Sequence, residues 1–378
     1  MIYGDKKVQT ETAVPQRALW PVSVLMLTVL CSTRLFIYRS RSMDCCVATL
    51  LCLGTALYLL VQVIRFIFAD ADLTLLWLVA FGKRPESTLR GKVVWITGAS
   101  SGIGEELAYQ LASLGARLII SAPRVGALQK VKNRCLELSS LKEGDILVLP
   151  LDLLERDTHA AKTGVAIQHF GNIDILINNG GRSQRSLFQD TNLEVIQALM
   201  DINYLGTVSV TKHVLPHMMQ RGTGALVAVS SVVGLAGAPL VTGYSASKHA
   251  QRGFFNSLRT ELADYPGITI STVCPGPVQS AIVQNALTEE LGQPVTVAGD
   301  QSHKMATSRC VRLMLVGIAN QVKEMWIGQQ PFLLMSYLWQ YTPTWAWSVT
   351  GMLGKRRVEN FKAGLDADSS YFTKPKTS

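Results

Sequence analysis

The sequence predicts an α/β fold with a doubly wound parallel sheet, and three observations lead there. Short β-branched runs alternate with amphipathic stretches across residues 92–330. A glycine-rich turn joins the first run to the first helical stretch, and polar residues suited to proton transfer follow the ends of later runs. Strands that alternate with helices give a sheet covered on both faces, with ligands at the carboxyl ends of its strands.

The first strand is Lys92-Val93-Val94-Trp95-Ile96-Thr97, an apolar run of the kind buried in parallel sheets. It leads into Gly98-Ala99-Ser100-Ser101-Gly102-Ile103-Gly104, and Glu105 to Leu111 then has helical spacing. Strand, glycine turn and helix form the context of a phosphate-binding loop, in which the backbone approaches a pyrophosphate resting on the helix N-terminus. The spacing is G-x3-G-x-G; Gly98, Ser100, Ser101, Gly102, Ile103 and Gly104 are the expected contacts. Further strands are predicted at Ala116–Ser121, Asp145–Pro150, Ile173–Asn178, Ala225–Ser230 and Thr269–Cys274, with helical stretches such as Val125–Leu138 and Leu193–His217 between them.

Tyr244 and Lys248 stand four residues apart, so on a helix the phenol and the ammonium share one face. A free tyrosine has a pKa of about 10, and a cation beside it favours the phenolate. A serine hydroxyl can bond a substrate oxygen as charge develops on it; Ser231, thirteen residues earlier, and its neighbour Ser230 compete for that part. Tyr-x3-Lys is common on helix surfaces, and only its company makes it chemical.

Thr97 to Gly104, Asn178-Asn179-Gly180-Gly181, Asn203, Ser231, Tyr244 with Lys248, and Pro275-Gly276-Pro277-Val278 together resemble the short-chain dehydrogenase/reductase superfamily, over residues 88–330. Asp72-Leu73-Thr74-Leu75-Leu76-Trp77, Gly253-Phe254-Phe255-Asn256, Asp300 to Met305 and Asp366 to Phe372 resemble a retinal-type subgroup of it. The resemblance implies a Rossmann-type catalytic domain with Tyr244 as proton donor in reduction and base in oxidation. It implies that Lys248 depresses that phenol and holds the nicotinamide ribose, and that Ser231 orients the substrate oxygen. Asn203 is expected to anchor a water relay, or else to tie its helix to a neighbouring turn.

The cofactor is expected to be NADP. The second strand ends Ile120-Ser121-Ala122-Pro123-Arg124, without an acid to hold a ribose 2′-hydroxyl, and an arginine there suits a 2′-phosphate. Pro123 and Ser101 stand where relatives that use NADP often carry basic residues, so Arg124 as a solvated loop charge, and NAD as the cofactor, stay open. Asp152 matches an adenine-contacting position, Asn178 opens the motif after the fourth strand, and Ser280 stands where a threonine often binds the carboxamide. Pro275, Gly276 and Val278, with Tyr244 and Lys248, complete the expected cofactor contacts.

At 378 residues the chain exceeds one catalytic domain of this class by roughly a hundred residues, which lie at its ends. Residues 45–69 read as a transmembrane anchor, because the twenty positions Cys45 to Ile64 carry no charge. Residues 1–44 read as an extension dispensable to the fold, 70–91 as a linker, 92–330 as the catalytic domain and 331–378 as an aromatic, basic tail. The earlier apolar stretch, Ala18 to Thr33, is marginal for a span. The net charge of +9 divides into +3 for residues 1–44, +3 for 351–378 and +3 for the rest. That spread suits a membrane surface better than a nucleic-acid groove, and no nucleic-acid partner is expected. Seven cysteines lack disulfide or metal-site spacing, so no metal is expected. Phe332, Tyr337, Trp339, Tyr341, Trp345 and Trp347 can line a substrate entrance, rest at a membrane interface or pack as a subunit contact in a homodimer. The expectation is an NADPH-dependent reductase of lipophilic carbonyl compounds (steroids, retinoids, xenobiotic ketones or quinones) in the endoplasmic reticulum membrane. The rivals are an NAD-dependent alcohol dehydrogenase of retinol or hydroxysteroids and an inactive nucleotide-binding scaffold.

Overall fold

The computed structural model describes residues 44–293 and 301–365. The extension, the Ala18–Thr33 stretch and the Asp366–Phe372 segment lie outside the described residues. The chain forms two compact units, residues 1–66 and 67–378. Helix α1 (Asp44–Ile67), all but its last residue in the first unit, includes Val47–Ile67, 21 residues of mean hydropathy 2.2, long and apolar enough to cross a bilayer.

The second unit is built on seven parallel strands: β1 (Val93–Thr97), β2 (Arg117–Ser121), β3 (Ile146–Val148), β4 (Ile175–Asn178), β5 (Gly224–Val229), β6 (Ile268–Pro275) and β7 (Glu324–Ile327). Their order is β3-β2-β1-β4-β5-β6-β7, so the direction of winding reverses between β1 and β4. Every β1 residue is buried. Alternation sends its side chains to two cores: Val94 and Ile96 pack on one face of the sheet, Val93 and Trp95 on the other. Helices α4 (Gly102–Ser113), α5 (Val125–Leu138) and α10 (Thr307–Ala319) cover the first face. Helices α6 (His159–Phe170), α8 (Gly206–Arg221) and α9 (Thr242–Glu261) cover the second.

Three features depart from the sequence reading. The single helical stretch expected over Leu193–His217 is α7 (Leu193–Met200), a wide π-turn (Asp201–Leu205) and then α8. β7 adds a strand that short, mixed sequence does not announce. Residues 70–91, read as a linker, contain α2 (Leu73–Phe81) and α3 (Pro85–Thr88), held to the sheet edge and α10. Ala71 bridges Ile327, and the Asp70 carboxylate forms two hydrogen bonds with the Arg309 guanidinium at 2.7 and 3.1 Å. Asp72 accepts from Leu75 N (2.9 Å), capping α2, and from Trp326 N (2.8 Å), while Leu75 is buried in the core. The physical reason is a capping acid followed by apolar residues, which can bury one helical face despite the polar residues after it. Beyond β7, α11 (Phe332–Tyr341) and α12 (Pro343–Lys362) form a helical pair.

Candidate active site

The winding reversal brings the loops after β1 and β4 side by side. Thr97 Oγ1 accepts from the amides of Asn179 (3.1 Å) and Gly180 (3.0 Å), and Asn179 Nδ2 donates to the carbonyls of Thr97 (3.1 Å) and Gly98 (3.2 Å). Gly98 has φ +65° and would, with a Cβ, approach Gly180 Cα to 2.6 Å. Gly102 has φ +58°, and only Ser280 faces the space where its side chain would stand. Both positions therefore require glycine. Together they leave the backbone and the first amides of α4 open to a phosphate, whose charge the helix terminus favours.

A cavity of about 640 Å³ opens from this turn. Gly98, Ser100, Ser101, Gly102 and Ile103 form one end, with Arg124 and Asp152 beside them; Pro275, Gly276, Val278 and Ser280 form another wall. This cradle fits a dinucleotide. Gly104 does not reach the cavity and instead packs on the Gly98 carbonyl, allowing helix and strand to close up. Asn178 also stays below the surface, donating from Nδ2 to Thr211 Oγ1 (3.0 Å). It is the last residue of β4 and points into the core, so Asn179, Gly180 and Gly181 line the cavity in its place.

Tyr244, Lys248 and Ser231 line the same cavity. Tyr244 and Lys248 are one turn apart on α9 and both are buried, with Lys248 Nζ 5.8 Å from the phenol ring centroid. Nζ donates to Val229 O (2.8 Å) and lies 3.4 Å from Gln251 Oε1. Burial pulls Lys248 down to about 8. Burial raises the Tyr244 phenol, opposed by a hydrogen bond with Ser231 and by the charge of Arg185. The expected depression of the phenol is thus outweighed by desolvation, and the groups acting against it are Ser231 and Arg185. Of the two competing serines, Ser231 is the one that acts on the phenol, with its Oγ donating to Pro275 O (3.3 Å) and accepting from Val233 N (3.3 Å), whereas Ser230 Oγ donates to the Lys248 carbonyl (3.2 Å).

Asn203 sits in the π-turn behind the cavity. Its Oδ1 accepts from Arg182 N (2.8 Å), and its Nδ2 donates to Arg182 O (2.9 Å) and Ser247 Oγ (2.9 Å). It ties the π-turn to the β4 loop and to α9. A Cβ on Gly181 would fall 2.7 Å from Asn203 Oδ1 and 3.7 Å from Lys248 Nζ, so the asparagine and the lysine flank one glycine.

Sequence reasoning missed two participants. The first is Gln184, fully buried, whose Oε1 accepts from the amides of Gly243 (2.7 Å) and Tyr244 (3.2 Å). The second is Arg185, whose Nη1 donates to Gln184 O (2.8 Å) on the cavity wall. Of the six aromatics after residue 331, Phe332 and Trp339 line the cavity, in a wall that α11 and α12 form with Met335, Thr350, Leu353 and Arg357. Among the described residues no cluster of histidine, cysteine and acidic side chains is suited to a metal.

A family model described as short chain dehydrogenase matches residues 92–291. The chain is 62% identical over 323 residues to dehydrogenase/reductase SDR family member 7 of Homo sapiens, covering 85% of this chain and 95% of that protein. The Mus musculus protein of the same name is 58% identical over 322 residues, covering 85% and 95%. Among solved structures, a short chain dehydrogenase/reductase from Burkholderia phymatum in complex with NAD aligns with a TM-score of 0.59 and 20% identity, over 77% of this chain and 99% of that one.

Proposed function

Because the chain belongs to the short-chain dehydrogenase/reductase family and is an oxidoreductase on that account, we propose that it uses NADPH to reduce carbonyl groups of lipophilic substrates, with steroids, retinoids and xenobiotic ketones or quinones as the classes to test. The observation that carries this reading is the buried Tyr244, which lines one cavity together with Ser231, Lys248 and the glycine turn. A bound nicotinamide supplies hydride to the carbonyl carbon. The substrate oxygen gathers the released electron pair, Ser231 Oγ holds it, and Tyr244 Oη delivers the proton that completes the alcohol. A phenol raised by burial keeps its proton at neutral pH, which is the form reduction needs. Lys248, on the same face of α9 with Nζ held by Val229 O, would place a positive charge beside the phenol.

Arg124 on the cavity wall, beside a strand end without an acid, supports NADPH. The span Val47–Ile67 supports attachment to a membrane, proposed as the endoplasmic reticulum, and the apolar outer wall supports substrates drawn from it. A panel of lipophilic ketones and aldehydes assayed with NADPH and NADH tests the reading. NADPH-linked turnover is expected. Turnover only of alcohols with NAD would replace it by the oxidative alternative, and none with either cofactor would leave a nucleotide-binding scaffold.

A further inference from the structure

Large aromatic side chains stand in solvent on the same helices that wall the cavity. On α2, Leu73, Trp77 and Phe81 recur every fourth residue and so share one face; Trp77 is 65% and Phe81 71% exposed, with ring centroids 4.5 Å apart. At the end of α11 and along α12, Tyr341, Trp345, Trp347 and Met352 are equally open, Trp345 at 77%. The two groups are joined: Leu73 N donates to Tyr337 Oη (3.3 Å), and Tyr337 stacks on Tyr341 with centroids 6.4 Å apart. Trp339, which lines the cavity, packs edge-on against the exposed Trp347 at 4.6 Å. A soluble surface rarely leaves so much contiguous apolar area uncovered.

We propose that this face, formed by α2, α11 and α12, lies in the interfacial layer of a phospholipid bilayer, so that lipophilic substrate reaches the cavity from the lipid through the α11–α12 wall. The inference rests on the membrane reading of α1 given above. Three observations select lipid as the occupant. Only five residues separate Ile67, the end of the apolar span, from Leu73, so the chain can carry α2 no further than roughly 20 Å from that end. Tryptophan and tyrosine, amphipathic rings with a polar tip, are the side chains enriched at the headgroup level. The basic side chains Lys83 and Arg84 follow α2, and Lys355 follows the exposed part of α12; all three are exposed, as attraction to anionic headgroups requires.

The test uses the full chain in phosphatidylcholine vesicles with and without brominated acyl chains, reading tryptophan emission. Wild type is expected to be quenched by brominated lipid, and Trp77→Phe, Trp345→Phe and Trp347→Phe each to lower the quenched fraction, with the triple variant losing most of it. An unchanged fraction in the triple variant overturns the proposal, whether the face is covered by a second copy of the chain or by nothing. A second readout is kinetic. Trp345→Glu with Trp347→Glu is expected to raise KM several-fold for a ketone dissolved in the vesicles and to leave KM for a water-soluble ketone unchanged; equal effects on both also overturn it. Extraction with alkaline carbonate separates the two readings. Retention without quenching defeats this face alone, whereas release with quenching intact removes the α1 span and keeps the face as a peripheral contact.

Discussion

The side-chain oxygen of Gln184 accepts the backbone N–H groups of Gly243 and Tyr244, at 2.7 and 3.2 Å, although sixty residues separate glutamine from tyrosine. Helix α9 has no cap of its own, because Val241 at its N-cap offers no side-chain acceptor. The first-turn amides that every helix leaves unpaired are therefore satisfied from the β4 loop. The loop whose Arg182, Ser183 and Arg185 line the cavity thus also fixes the height of Tyr244, the proposed proton donor.

Replacing Gln184 by leucine removes that acceptor and leaves buried amides unpaired, at a cost of about 1–2 kcal/mol in stability. The variant is expected to melt several degrees lower and to lose kcat more than KM, because the phenol drifts while the cavity remains. Gln184→Glu, which keeps an acceptor, is expected to recover part of kcat. Equal kcat in Gln184→Leu and wild type would show that the contact does not position Tyr244.

Tyr244→Phe removes only the hydroxyl, so the fold and cofactor affinity are expected to survive. Carbonyl reduction should fall by about 10²–10⁴, the usual worth of a positioned general acid. Cofactor oxidation with the ketone panel measures this directly, and a rate equal to wild type would remove the phenol from the chemistry.

The pH profile should be limited by the lysine. Lys248 is held down to about 8, whereas the phenol is raised from its ordinary value, so the positive charge disappears first as pH rises. The basic limb of kcat/KM for reduction is expected near 8, and Lys248→Arg, charged throughout, should move that limb upward even if it lowers the maximum. Between about 8 and the ordinary 10.5 the unfolded chain binds more protons at this site than the folded one. Burying the cation therefore costs stability below that window, and the cost fades as pH rises through it.

Arg124→Ala is expected to weaken NADPH by about tenfold and to leave NADH almost unchanged, the difference being a lost charge-assisted contact to the 2′-phosphate. Titration of both reduced cofactors by fluorescence reads the ratio; no change in it would assign Arg124 to solvent.

Asp72→Ala deletes acceptors for Leu75 N and Trp326 N together. Melting should show a loss of about 1–3 kcal/mol. Asp72→Asn, with one acceptor oxygen left, should fall between the variant and wild type.

Much of this architecture is legible in the chain. Six of the seven strands are runs such as Val93–Thr97 or Ala225–Val229, where β-branched and apolar residues between turn signals leave little choice. β7 is four residues beginning with Glu324, too short and mixed to stand out, and is specified by its partners Thr272–Pro275 instead. The glycine turn is legible because only glycine suits φ near +60° at Gly98 and Gly102. Asn178 shows the opposite case: the strand ends where the sequence predicts, but one residue of alternation decides whether the side chain meets the cavity or the core, and local sequence does not reveal which face it takes. Gln184 has no signal at all, since its value lies in a contact with Gly243 and Tyr244 that exists only after the sheet has formed.

The paired hydrogen bonds from the Arg309 guanidinium to Asp70, with Ala71 against Ile327, set where the folded unit begins. The family model starts at residue 92, but a recombinant form cut there would strip the outermost strand of its covering segment and leave an open hydrogen-bonding edge, the kind of surface that recruits other chains into aggregates. Residues 70–91 are hull rather than mooring line, and a soluble version has to keep them.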